Sequence, residues 1–245
     1  MKVNWLEKRI NLGKTRCFVL IIRGVHLETS ELYLDVVSQL EKRADSGLAS
    51  MESYYHKTLG HKTYGISTSE IIELIRTFRT SFKELNLEER LKLARMFFES
   101  GFSEQAAFGN SILELSVVEI LPGHFDIVDE IAGFLNNWGS TDWSCIATLQ
   151  PMLRKYPKET LNLLRKWNSS ESVWKKRASI VAFTRKIGEG DEFTDKALEL
   201  CNNLIWDEED MVRKGVFWAL KDNMRGNKKK ILDYVKSLRQ KEYHR

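Results

Sequence analysis

The sequence predicts an all-α protein built as a stack of helix pairs, and three observations carry that reading. Only three of the 245 residues are proline, so helices are rarely interrupted. Apolar residues recur at helical spacing in segment after segment from residue 31 onward. In the C-terminal half, the segments TDWSCIATLQPMLRKYP, WKKRASIVAFTRKIGEG and VRKGVFWALKDNMRGN superimpose by their apolar faces at intervals of 35 to 37 residues, which puts Asp142, Arg177 and Lys214 at equivalent positions.

Taken in order, the first helix is expected over 31–45, where Leu32, Val36, Val37 and Leu40 form the stripe and Thr29 or Ser30 can cap the start. Ser69 then precedes IIELIRTFRTSFKEL, Leu87 opens EERLKLARMFFES, and Ser103 precedes EQAAFGNSILELSVVEIL, each stopping near Gly or Asn. The same rhythm predicts helices over 125–136, 140–155, 157–168, 171–187, 191–205, 208–223 and 227–241. Connections this short make consecutive helices antiparallel neighbours. One such pair cannot bury its apolar face alone, so the pairs are expected to stack into a curved solenoid whose concave surface is lined by one repeat position. Residues 29–245 are expected to be a single domain. Residues 1–28 stand outside the series, with a basic scrap NWLEKRI and the apolar run Cys17–Ile22, and receive no function.

Composition narrows the chemistry. A hydrophobic content of 42% is enough for a continuous core. Cys17, Cys145 and Cys201 are odd in number, widely spaced, and lack a CxxC pair or a histidine at zinc-ligand distance, which predicts buried free thiols in a reducing compartment and neither metal nor organic cofactor. The Cys17–Ile22 run is too short for a signal-peptide core or a membrane span, so a cytoplasmic protein off the membrane is expected. The net charge of +4 hides an asymmetry: from Trp138 onward there are 22 Lys and Arg against 15 Asp and Glu, and before it 16 against 19. A basic half suits a phosphate-binding surface, although solvated helix faces account for the charge equally well.

No phosphate-cradling Gly-rich loop, GxSxG or HExxH occurs, which leaves carboxylates, aromatics and cations to do any chemistry. Trp138 and Asp142 in NWGSTDW stand four apart and so share a helical side. An indole beside a carboxylate attracts a planar cation, through the ring face and through the negative charge. Trp174 with Arg177, and Lys214 with Trp218, repeat the pairing of aromatic and charge. Each of these residues taken singly reads as readily as a core aromatic, a helix cap or a solvated lysine. Their register in three successive units favours a site.

On these residues the chain resembles the DNA alkylation repair proteins of the AlkD type, HEAT-like-repeat DNA glycosylases, over roughly residues 31–240. NWGSTD is similar to the family's tryptophan, three residues, aspartate motif, which implies Trp138 beside the lesion and Asp142 as the catalytic carboxylate. VWKKRASI is similar to the block holding an active-site arginine, here Arg177, and VFWAL to the block with a lesion-side tryptophan, here Trp218. MESYYHKTLGHKTYGIS resembles the N-terminal tyrosine block, with Tyr54 as its contact residue. Gly139 departs from the pattern, since members often carry an acid after the tryptophan; a register on Trp143 would put Ala147 where the aspartate belongs, whereas Trp138 needs no gap.

The resemblance implies a monomeric glycosylase that excises positively charged N3- or N7-alkylated purines from double-stranded DNA in base excision repair, without a cofactor, associated with the nucleoid through DNA binding. Asp142 would stabilise the oxocarbenium-like sugar and position water, Arg177, Lys175, Lys176 and Lys214 would hold phosphates, and Trp138, Trp218 and Tyr54 would flank the lesion. A catalytically silent relative that binds damaged or branched DNA is the alternative.

Overall fold

The computed structural model describes residues 29–50 and 62–242, and helices carry its fold. They are α1 (Thr29–Glu41), α2 (Thr68–Glu84), α3 (Leu87–Glu99), α4 (Ser103–Ser116), α5 (Phe125–Ala132), α6 (Trp138–Ser144), α7 (Gln150–Lys155), α8 (Pro157–Asn168), α9 (Val173–Val181), α10 (Arg185–Gly188), α11 (Thr194–Leu204), α12 (Asp210–Gly226) and α13 (Lys228–Glu242). Among the described residues the only β feature is an isolated bridge between Lys62 and Phe102. Residues 1–28, with the Cys17–Ile22 run, and Tyr54 lie outside the described residues.

Local chemistry sets several starts. Ser67, two residues before the expected cap, closes a capping box with Glu70 at the head of α2, and Asn86 does the same with Glu89 at α3. Asn137 accepts the Ser140 amide and fixes the start of α6.

The helices alternate between two layers. α2, α4, the α6–α7 unit, α9 and α12 follow one another in the first, and α1, α3, α5, α8, α11 and α13 in the second. One apolar core runs between the layers from Leu32 to Ile231, with Phe82, Phe97, Phe108, Trp167 and Phe183 almost fully buried. The repeat shows directly in the side-chain bonds between successive units: Ser144 to Asn110, Arg177 to Asp142, Arg165 to Glu199 and Lys230 to Asp195 all span 34 or 35 residues. This is the helical-repeat architecture expected from the sequence.

Two long expected helices are broken. The helix over 140–155 contains a π turn, Cys145–Leu149, in which the Gln150 amide bonds back to the Cys145 carbonyl. Pro151 explains it: a proline has no N–H for the ladder and crowds the carbonyl one turn before it, and a widened turn relieves both. The helix over 171–187 stops at Val181, and Arg185 adopts a left-handed backbone, φ 51°. Tertiary amides hold that turn open, since Asn223 donates to the Phe183 carbonyl and Gln150 to the Thr184 carbonyl, both at 2.9 Å. The helix expected over 104–121 also ends early, at Ser116, whose hydroxyl bonds the Ile112 carbonyl.

Candidate active site

The first layer brings three equivalent helices side by side, and at their shared level lies a charged chain of contacts. Arg177 of α9 donates from Nε to Asp142 Oδ1 and from Nη2 to Asp142 Oδ2, both at 2.9 Å, and from Nη1 to the Met211 carbonyl of α12 at 2.6 Å. One guanidinium thus ties α6 to α12. The side chains are 7% exposed at Arg177 and 13% at Asp142, so the pair is sheltered but not sealed from solvent. A carboxylate has about four acceptor positions, of which the fork occupies two.

The room for this arrangement comes from Gly215. A β-carbon there would touch Arg177 Cγ at 3.6 Å and Arg177 Nη1 at 3.7 Å, so any larger side chain would displace the guanidinium. Sequence reasoning missed Gly215, although its place one residue after Lys214, in the helix that follows Arg177 by one repeat, was the available signal. The π turn begins three residues after Asp142, a kind of helix defect that is frequent at functional sites.

Trp138 lies one turn before Asp142 on α6 and is 47% exposed, an unusual position for an indole unless something covers it. Trp218 is partly buried against the core and lies two turns beyond Met211 on the same side of α12; the Arg185 guanidinium lies over its ring, 5.7 Å from the centroid. Its neighbour Phe217 is 60% exposed, on the side of α12 that carries Lys214 and Lys221.

The expected phosphate-binding cations have partners inside the protein. Arg177, as above, faces Asp142 because the repeat stacks equivalent positions of adjacent helices. Lys175 Nζ lies 2.7 Å from Asp129 Oδ1 and Lys176 Nζ 2.6 Å from Asp207 Oδ2, both lysines being mostly buried. Lys214 is exposed and pairs with Asp210 one turn earlier, at 2.7 Å; it does not join the Asp142–Arg177 pair despite its repeat position. Asp129 collects Lys166, Lys175 and the Trp167 indole; burial pushes its carboxyl upward, but these three donors prevail and hold it at about 2.

Cys145 packs directly beneath this site. It is fully buried, its thiol donates to the Ala178 carbonyl at 3.5 Å, and burial first, then the Asp142 charge, raises it well above the ordinary thiol range against the opposing pull of Arg177. Cys201 is likewise buried and pushed up to about 12 by burial. Neither thiol has the exposed, thiolate-favouring setting of a nucleophile. No group of His, Cys, Asp and Glu suited to a metal ion occurs among the described residues. None of the described helices is long and apolar enough to cross a membrane.

A comparison with curated proteins finds no match. The family model of the DNA alkylation repair enzymes, in contrast, matches residues 36–245, a span that runs from within α1 through every later helix and contains every member of the Asp142 site, and the chain therefore belongs to the DNA alkylation repair enzyme family.

Proposed function

We propose that this repair enzyme is a DNA glycosylase that removes positively charged N3- or N7-alkylated purines from duplex DNA, on a HEAT-like solenoid with its basic face toward the nucleic acid. The observation that carries the reading is the Asp142 carboxylate, gripped by the Arg177 fork, 13% exposed as a side chain, and followed along the layer by aromatic side chains. Alkylation makes the base a cation, so the glycosidic electrons leave with it and neutralise it, and no general acid is required. The positive charge that develops on the deoxyribose is the difficulty met in glycoside hydrolysis. A fixed carboxylate near the anomeric carbon stabilises that charge without reorganising. Water then bonds to this carbon, oriented by a carboxylate oxygen, and its proton passes to solvent.

Arg177 is a positioning residue in this scheme. Its fork fixes the rotamer of Asp142, as substrate-facing groups require from their supporting shell. Trp138 and Trp218 would flank sugar and lesion. Direct transfer of the alkyl group to Cys145 or Cys201 is disfavoured, because both are buried protonated thiols. The test is release of methylated purines from N-methylated duplex by the wild type and by Asp142→Asn. Release that collapses in the variant, with DNA affinity retained, supports the assignment; full release by Asp142→Asn removes Asp142 from the mechanism, and tight binding without release by the wild type favours the silent DNA-binding reading.

A further inference from the structure

The cations that a DNA-binding reading would first assign to phosphates are Lys175, Lys176, Arg177 and Lys214, and each is paired with a carboxylate of the protein. A phosphate at any of them has to compete with that partner. Arg185 is different. It is exposed, and its guanidinium has no carboxylate partner among the described residues; the group lies instead over the Trp218 ring at 5.7 Å. A guanidinium held over an aromatic ring by cation–π attraction spends none of its N–H donors on that contact, so a bidentate acceptor such as a phosphodiester can take them.

The mount is rigid. The backbone at Arg185 is left-handed, φ 51°, a conformation that disfavours any side chain and suits glycine. It persists because Asp222, which is buried, accepts the Arg185 amide at 2.7 Å, while Asn223 and Gln150 hold the two carbonyls before it. Strain maintained by three polar side chains from two neighbouring helices is the pattern of a position kept for what its side chain does. Trp218 lies seven residues beyond Met211, whose carbonyl receives Arg177, so the Arg185–Trp218 pair sits about 10 Å along α12 from the Asp142 level. That distance is of the order of a few nucleotide steps along one strand.

We infer that Arg185, presented by Trp218, grips a backbone phosphate of the DNA strand bound across the Asp142 site. The inference rests on the DNA-binding reading above, and the experiment separates the two. Affinity for a fluorescent duplex is measured by anisotropy across a salt series for the wild type, Arg185→Ala, Arg185→Lys and Arg185→Gly, with thermal melts of each. Arg185→Ala is expected to bind roughly tenfold more weakly at moderate salt and to lower the logarithmic salt slope by about 0.9, the release of one phosphate's counterions. Arg185→Lys restores the slope without the full affinity. Arg185→Gly shares the alanine defect yet melts about 2–4 °C higher, because the left-handed strain is gone.

Wild type that binds with a salt slope equal to that of Arg185→Ala overturns the inference and leaves the DNA-binding reading intact. An Arg185→Gly variant that melts lower while losing affinity makes Arg185 a strut, and also overturns it. Wild type without salt-dependent affinity for duplex overturns the reading on which it rests.

Discussion

Replacing Arg177 by methionine isolates what the buried fork does. Methionine keeps most of the apolar stem, so packing against Gly215 is largely preserved. What disappears is two charge-assisted bonds to Asp142 and one to the Met211 carbonyl. Removing one partner of a buried pair costs about 3–5 kcal/mol, and the partial exposure of Asp142 puts this case at the low end, about 3 kcal/mol. For a chain of this size that is a fall of about 6–12 °C in Tm, read by far-UV circular dichroism. Adding Asp142→Asn to Arg177→Met should cost far less than it does alone, because the charge it removes is then unpaired; a coupling of about 1–3 kcal/mol is expected. The same variant separates orientation from phosphate binding. If Arg177 positions Asp142, methylpurine release falls at least about tenfold while the salt slope of DNA binding is unchanged; a slope lower by about 0.9 would assign it to phosphate instead. A Tm within a degree of wild type would refute the whole account of the pair.

Further outcomes follow from neighbouring residues. Gly215→Ala is expected to be neutral or stabilising by up to about 1 kcal/mol, since its β-carbon meets only ordinary contacts from 3.5 Å outward and helix propensity improves, whereas Gly215→Leu should displace Arg177, lower Tm and abolish release. Asp129 has its carboxyl depressed in the fold, so its contribution is complete above its unfolded value near 3.8 and is lost as the pH falls toward 2. After allowance for the exposure of Lys166 it amounts to about 1–2 kcal/mol, and Asp129→Asn should flatten acid unfolding in that window and melt lower at neutral pH. Cys145 and Cys201 should resist thiol reagents until the protein unfolds and should carry no alkyl adduct by mass spectrometry after turnover. Phe217→Ser should leave Tm unchanged, as the ring is 60% exposed, and weaken duplex binding if this side of α12 meets DNA.

The sequence by itself determined the class of fold, the length of the repeat and the level at which Asp142 and Arg177 meet. Periodicity and scarce proline are local properties, and a repeat converts one register into contacts between every neighbouring unit, so a 35-residue spacing became a bond between those two side chains. Partner choice was decided only by the tertiary structure. Lys175 and Lys176 looked like free cations because Asp129 and Asp207 come from other units, 46 and 31 residues away, with no pattern in the sequence to announce them. The break before Arg185 was hidden for the same reason: Asn223 and Gln150 compete for carbonyls that helical propensity would have kept in the ladder. A sequence pattern tells which side of a helix faces inward; which buried donor meets which acceptor depends on the packing of distant segments, because a hydrogen bond is won by geometry within about 3 Å.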